Sequence, residues 1–334
     1  MSAVEDQTLE VVGLSKEFEV PGSEHFWQRR RRLHAVEDVS FTLRPGTITA
    51  LVGESGSGKT TVARLLARLY EPTAGQIMFE GRDQPKRANR EQNLHYRSQV
   101  QMIFQDPFDS LNPVKTVAHL IGRPLRIHKI VPRDQERERI HQLLDTVGLV
   151  PPDVIATKSP NELSGGRRQR VAIARALAVQ PRVILADEPT SMLDVSIRIG
   201  VLNLMLRLKE EHDLAFLFVT HDLASARYVA DELLVMYAGQ IVEHGPTETV
   251  LQDPLHPYTR LLLSAAPDPN AGLRAADLAA RTPQDITVDD AVGCRFVGRC
   301  PLAIDVCSTT PPTLAQAGRG RWARCHVTAP ERNA

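Results

Sequence analysis

Eight consecutive residues, Gly53-Glu54-Ser55-Gly56-Ser57-Gly58-Lys59-Thr60, satisfy the pattern G-x-x-x-x-G-K-[ST] at every fixed position. Glycines let the backbone curl so that successive N–H groups converge. Convergent N–H groups beside a helix N-terminus hold a dense anion such as a triphosphate. Lys59 then reaches the outer phosphates, the Thr60 hydroxyl ligates Mg²⁺, and Thr61 sits beside them at the anion site. The chemistry implied is nucleotide binding with hydrolysis, which needs an acid to organise Mg²⁺ and a group to align water. Asp187 ends the apolar run Val183–Ala186 and acts on Mg²⁺, through water. Glu188, the next residue, points differently and is the candidate to polarise the attacking water. His221 follows a second apolar run, LAFLFVT, and can hold the γ-phosphate or the transition-state charge.

The elements that must position these residues can be read from patterning. LEVVGLSKEFEV and AVEDVSFTL predict strands near the start, and ITALVG is a compact strand that runs into the glycine loop. KTTVARLLARLY has helical spacing directly after it. Residues 82–98 are polar and poorly patterned; SQVQMIFQ is a strand candidate. Residues 113–150 read as mainly helical, with PRDQERERIHQLLDTVGL the clearest run. RRQRVAIARALAVQ and IRIGVLNLMLRLKEEH predict long helices, and LASARYVA a short one. Strand and helix alternate around RVILADEP and LAFLFVT, which indicates an α/β core of parallel strands covered by helices. Between the first strands, PGSEHFWQRRRR reads as a turn-rich insertion bearing Arg29–Arg32. It is either a solvated loop or a contact for headgroups or a partner. After about residue 250 the texture shifts toward Pro, Ala and Gly, and PDPNAG reads as a linker.

The chain has 334 residues, which is the size of about two domains. Forty Lys+Arg balance forty Asp+Glu, so bulk positive charge holds no nucleic acid, and none is expected as a partner. No apolar stretch is long enough to span a bilayer. MSAVEDQTLE lacks a basic region followed by an apolar core, so secretion is not expected. Fixed-period repeats are absent, which excludes solenoids and propellers.

Leu163-Ser164-Gly165-Gly166-Arg167-Arg168-Gln169-Arg170 resembles the signature of ABC transporter ATPases. The resemblance implies a P-loop NTPase core of ABC type with an antiparallel β subdomain, a helical signature subdomain near 106–180 and a small C-terminal extension. It implies that Ser164, Gly165 and Gly166 face the γ-phosphate held by an opposing subunit. ATP is then sandwiched between two subunits, and hydrolysis needs the dimer. Arg167 stands where the family usually has glutamine. By the same resemblance Gln105 senses Mg²⁺ and the γ-phosphate, and Asp194 lies in the loop Ser191-Met192-Leu193-Asp194. His221 is the switch histidine, and Phe18 stacks on adenine, with Phe26 and Trp27 nearby in the insertion.

QDPFDSLNP (105–113), LDVSIRIGVLNLM and DPLHPYTRLLLSAAP (253–267) narrow the resemblance to the ATP-binding subunits of oligopeptide and dipeptide importers. The insertion before LHAVEDVSF favours the F-type of their paired ATPases. This implies a D-type ATPase partner, two transmembrane permease subunits, an extracytoplasmic peptide-binding protein and a place on the cytoplasmic face of the inner membrane. The expected division is an ATPase domain over 1–250 and a C-terminal extension over 251–334. Other readings remain: a related importer for nickel or oligosaccharides, a soluble ABC-type ATPase in DNA repair or translation, an exporter ATPase, and a non-catalytic nucleotide-binding regulator. Tandem ATPase domains and a long coiled coil are lacking, and Glu188 is present, which weighs against the soluble and regulatory readings. QDPFDSLNP and HPYT weigh against an exporter.

All four cysteines, Cys294, Cys300, Cys307 and Cys325, fall near the C-terminus, a clustering that suggests a metal or cofactor site. The close C-x2-4-C hook of tetrahedral zinc sites is missing. Four thiolates can hold a [4Fe–4S] cluster, although the spacing differs from ferredoxin runs. The resemblance to peptide-importer ATPases implies such a cluster; zinc, reduced structural thiols and disulfides are the alternatives. His326 either orients that site or is merely exposed.

Overall fold

The computed structural model describes residues 8–20, 31–84, 89–106, 110–265, 292–318 and 320–329. Its strands, in chain order, are β1 (Leu9–Val20), β2 (Arg31–Leu43), β3 (Ile48–Val52), β4 (Ala74–Phe79), β5 (Arg82–Asp83) and β6 (Val100–Ile103). They continue with β7 (Val183–Asp187), β8 (Ala215–Thr220), β9 (Glu232–Tyr237), β10 (Gln240–Pro246), β11 (Ala315–Gln316) and β12 (Trp322–Ala323). Two sheets result. One is antiparallel, in the order β2-β1-β4-β5; the other runs β11-β12-β10-β9-β3-β8-β7-β6. From β9 through β6 the second sheet is parallel.

Every residue of β3, β7 and β8 is buried, because both faces of the parallel sheet are covered. The alternation of side chains divides the core in two. Ile48, Ala50, Val52, Ile184, Ala186, Phe216 and Phe218 face a cluster built on the helices Val117–Ile127, Gly165–Leu177 and Val195–His212. Leu51, Val183, Leu185, Leu217 and Val219 face the helix Lys59–Leu66 and the antiparallel sheet. Burying a side chain of this size stabilises the fold by about 1.5–3 kcal/mol. A continuous apolar run such as LAFLFVT is therefore what a central strand requires.

Residues 82–98, polar and unpatterned in sequence, lead into and make up most of the helix Arg90–Gln99. It is fixed by a reciprocal cap rather than an apolar stripe. Asn89 Oδ1 accepts the Gln92 N–H at 2.8 Å, and Gln92 Oε1 accepts the Asn89 N–H at 3.1 Å. One aromatic, Tyr96, turns inward and donates its hydroxyl to the Leu66 carbonyl at 2.7 Å. The helix after the glycine loop ends at Leu66 rather than Tyr70. The insertion is also shorter than expected, because Arg31 and Arg32 already pair with Val20 and Glu19 as part of β2. Phe26, Trp27, Arg29, Arg30, the PDPNAG linker and Pro107–Asp109 lie outside the described residues.

β9 and β10 form a hairpin whose turn residues, Ala238 and Gly239, both have positive φ, as a tight two-residue turn requires. β12 pairs with β10 through Glu243↔Ala323 and His244↔Trp322, so strands from beyond residue 292 extend the same sheet. Among the described residues, no helix is long and apolar enough to cross a membrane.

Candidate active site

β3, β8, β7 and β6 are successive neighbours and run parallel, so their C-terminal ends meet at one edge, where ligands bind in such sheets. The glycine loop leaves β3 there, His221 follows β8, Asp187 and Glu188 close β7, and Gln105 lies just past β6. A cavity of ≈ 580 Å³ opens at this edge. Phe18, Ser55, Gly56, Gly58, Lys59, Thr60, Thr61, Gln105, Glu188 and His221 line it. Gly53, Glu54, Ser57 and Asp187 belong to the same loop and strand end but are not among the lining residues.

Gly58 caps the helix Lys59–Leu66 with φ +103, and a Cβ there would stand 2.2 Å from the Ala35 carbonyl oxygen. Backbone conformation and close approach both demand glycine. The Lys59 ammonium donates to the Gly53 and Glu54 carbonyls, each at 2.8 Å, and lies 3.4 Å from Ser57 Oγ. Burial pulls its pKa below the usual lysine value, against the pull of Glu188, Asp187 and Glu54. Thr60 Oγ1 donates to Asp187 Oδ1 at 3.0 Å. Burial raises the Asp187 pKa, and the Thr60 hydrogen bond opposes the rise. This pair of oxygen donors suits a hard cation such as Mg²⁺.

Glu188 diverges from Asp187 because its backbone is left-handed, with φ 44. That conformation costs on the order of 1 kcal/mol for a residue with a Cβ. It persists because the Glu188 N–H donates to the Val219 carbonyl at 2.9 Å. The carboxylate is thereby held between two partners. Oε2 accepts Gln105 Nε2 at 3.0 Å, and Oε1 lies 3.1 Å from His221 Nδ1. Phe18 is half-buried, stands edge-on to Tyr70 at 5.4 Å, and belongs to neither core cluster.

Ser164, Gly165, Gly166 and Asp194 do not line this cavity. Ser164 caps the helix Gly165–Leu177 without using its side chain, and both Ser164 and Asp194 are exposed. Gly166 has a packing reason to be glycine: a Cβ there would lie 2.4 Å from Ile197 Cγ2. Arg167 is exposed, whereas Arg168 is buried and donates Nε to the Pro160 carbonyl at 2.6 Å.

The four cysteines converge. Burial, followed by Cys307, Cys300 and Cys325, pushes the Cys294 thiol up to about 11. Burial also raises Cys300, with Cys325 and Cys307 adding to it. All four are free thiols, so no disulfide joins them. Among the described residues, no group of three or more His, Cys, Asp or Glu is arranged to hold a metal ion. This holds alike for the tetrahedral thiolate set of zinc and for the four-thiolate set of an iron–sulfur cluster. The His326 ring nitrogen meets the Thr310 carbonyl at 2.9 Å.

Leu33, His34, Ala35, Ala238 and Gly239 also line the cavity without a sequence signal, and two residues outside its lining hold the loop. The Tyr258 hydroxyl accepts the Glu54 N–H at 2.8 Å, and Arg299 grips both Glu54 carboxylate oxygens at 2.9 Å. Tyr258 was visible in sequence only as part of HPYT, and no spacing linked Arg299 to a loop 245 residues earlier.

Residues 36–191 match the ABC transporter family, and residues 242–307 match the oligopeptide/dipeptide transporter C-terminal region. The oligopeptide transport ATP-binding protein AppF of Bacillus subtilis is 39% identical over 98% of this chain and 99% of its own length. OppF of the same organism, likewise an oligopeptide transport ATP-binding protein, is 48% identical over 74% of this chain and 81% of its own. Among solved structures, cbiO1 of Clostridium perfringens, part of the ABC transporter complex cbiONQ, superposes with a TM-score of 0.63. It has 25% identity and covers 75% of this chain and 92% of its own. The dimeric ATP-binding cassette MJ0796 bound to ADP and Pi gives 0.62, with 28% identity, over 72% of this chain and 98% of its own.

Proposed function

The chain belongs to the ABC transporter ATPases, and from that premise we propose how its residues divide the work of ATP-driven peptide import. It is an ATP hydrolase that uses Mg²⁺ and powers import of peptides through a membrane ABC transporter complex. The observation that carries the residue assignment is Glu188 suspended between Gln105 and His221 at the mouth of the phosphate loop. In our reading Glu188 accepts the proton of the attacking water, and His221 holds Glu188 and the γ-phosphate oxygens in line. Lys59 and the loop N–H groups of Gly56–Thr61 compensate charge on the outer phosphates. Thr60, Asp187 and Gln105 would hold Mg²⁺, which would supply positive charge against the phosphates. Phe18 stacks on adenine. Ser164 and Asp194, exposed in one chain, together with Gly165 and Gly166 complete the site of a second ATPase subunit, so that closing two subunits on ATP drives the transporter.

The finer assignments are proposals of the same kind. The second ATPase is a D-type subunit, making a heterodimer. It docks with two permease subunits on the cytoplasmic face of the inner membrane, and an extracytoplasmic peptide-binding protein delivers cargo. Residues 1–250 form the ATPase domain, with the helical subdomain near 106–180, and 251–334 the extension. Cys294, Cys300, Cys307 and Cys325 would be the ligands of a [4Fe–4S] cluster, which would supply a covalent cross-link stiffening the extension. Iron and acid-labile sulfide in anaerobically purified protein test this; protein free of iron overturns it. The match to the oligopeptide/dipeptide region favours peptides over nickel or oligosaccharides, and over repair, regulatory or export roles. Uptake into vesicles holding the assembled complex decides the cargo. Labelled peptide should accumulate only with ATP on the cytoplasmic side, and ATP-dependent accumulation of nickel or oligosaccharide without peptide refutes the reading.

A further inference from the structure

We propose that Arg299 and Tyr258 are positioning residues for ATP binding, bracing the phosphate loop through Glu54 from beyond the ATPase core. The proposal rests on ATP binding at that loop. Glu54 is held twice, through its N–H by Tyr258 Oη at 2.8 Å and through both carboxylate oxygens by Arg299 at 2.9 Å. Two separate segments of the chain thus converge on one loop residue.

Each brace is itself fixed. Tyr258 is fully buried, with its ring 4.6 Å from Tyr237 and 5.6 Å from Phe296. Its place at the first turn of the helix Pro257–Ala265 is set from Glu243, which is also fully buried. The Glu243 carboxylate accepts the Leu255 and His256 N–H groups at 2.8 and 2.9 Å, and His256 Nδ1 accepts the Tyr258 N–H at 3.1 Å. Arg321 lies 3.6 Å from the same carboxylate. The Arg299 fork rests over the rings of Tyr237 and Phe296 at 5.8 and 5.9 Å, and its side chain is 17% exposed. His-Pro-Tyr and the segment around Cys294 and Cys300 therefore act on the same loop residue.

Glu54 explains why bracing is needed. A carboxylate in a loop that must bind a polyphosphate repels its ligand. Arg299 engages that carboxylate bidentately, which both neutralises it and fixes its direction. The loop also contains Gly53, Gly56 and Gly58, whose backbone freedom must be restricted before the N–H groups converge. Anchoring the adjacent Glu54 N–H supplies part of that restriction in advance, which is preorganisation.

The test is made on the full chain in its assembled complex, reading both ATP turnover and binding of trinitrophenyl-ATP. R299A should raise KM and Kd about tenfold, equal to about 1.4 kcal/mol, and change kcat by less than about twofold. E54Q in the R299A background should restore most of the affinity, because the unpaired charge is gone. R299K, a point charge without the fork, should fall between wild type and R299A. Y258F, which deletes only the acceptor oxygen, should weaken binding about threefold and stands in should R299A fail to fold. Unchanged KM in R299A and Y258F overturns the proposal. So does a loss of kcat or melting temperature without a change in Kd, or an R299A defect that E54Q leaves untouched. A wild-type complex that binds no trinitrophenyl-ATP refutes the ATPase reading instead, so the two failures are distinguishable.

Discussion

Replacing Glu188 by Gln isolates the step on which hydrolysis turns. The amide has the carboxylate's shape, so the left-handed backbone at φ 44 and the bond from the Glu188 N–H to Val219 should persist. The variant loses the anion that accepts Gln105 Nε2 at 3.0 Å and faces His221 Nδ1 at 3.1 Å. It also removes a negative charge that acts on Lys59, so an anionic nucleotide should bind at least as well. A positioned general base contributes about 10²–10⁴ in rate, which is roughly 3–5 kcal/mol of barrier. Single-turnover hydrolysis should therefore slow by at least about 100-fold. ATP affinity should hold, and light scattering should show ATP-dependent association into a closed dimer that no longer dissociates. Hydrolysis within tenfold of wild type, with binding intact, would remove Glu188 from the role of base and leave His221 or a phosphate oxygen to align the water.

Gly166→Ala should destabilise the protein by about 1–2 kcal/mol, the clash with Ile197 Cγ2 at 2.4 Å outweighing the gain in helix propensity. Urea titration measures it, and I197L, which lacks the β-branch, should recover most of the loss. Burial depresses the His256 pKa from 6.5 to about 3, so the folded state keeps the ring neutral while the unfolded chain takes up a proton below pH 6.5. The stability that this neutrality contributes is complete above pH 6.5 and falls by up to about 1.4 kcal/mol per pH unit on acidification toward 3. The difference between wild type and H256N in urea midpoint at pH 7 and pH 5 should show this slope, and identical pH dependence in both would count against it. Glu243→Gln should cost about 2–4 kcal/mol, because Arg321 loses its fully buried partner while two backbone N–H groups keep a weaker acceptor.

The phosphate loop and the strands that carry it were legible in the sequence because each is a local pattern. A fixed eight-residue motif marks the loop, and uninterrupted apolar runs mark strands buried on both faces. The helix Arg90–Gln99 was not legible, since its stability lies in a cap and one inward tyrosine rather than in a period. The hairpin β9–β10 was passed over, although Ala238-Gly239 marks its turn. The divergence of Asp187 and Glu188 was expected from their adjacency. What enforces it, a left-handed backbone held by a bond to β8, is tertiary and leaves no trace in residue type. At Gly166 the approach of Ile197 supplies a packing reason for glycine that residue type alone could not reveal.

The shift toward Pro, Ala and Gly after residue 250 and the PDPNAG linker suggest a loosely joined extension, and they underrate how it is attached. β12 takes the outer edge of β10, and the Arg324 guanidinium donates to the Ile241 carbonyl at 3.1 Å and reaches Asp38 at 3.3 Å. Arg295 ion-pairs with Glu37 and hydrogen-bonds the Ala238 carbonyl at the hairpin turn. These attachments fall on β10, on β2 and on the turn next to the loop; in the sheet β10 lies on the other side of β3 from β8 and β7, which carry His221 and Glu188. Phosphate chemistry at the strand ends therefore has two kinds of support. The catalytic side is carried by four parallel strands whose order is fixed by the core. On the loop side Tyr258 and Arg299 hold Glu54, and the residues around them include Glu243, His256 and the cysteine-bearing segment. A perturbation of that segment, such as substitution of Cys294 or Cys300 beside Arg299, should thus reach ATP affinity before it reaches the chemical step.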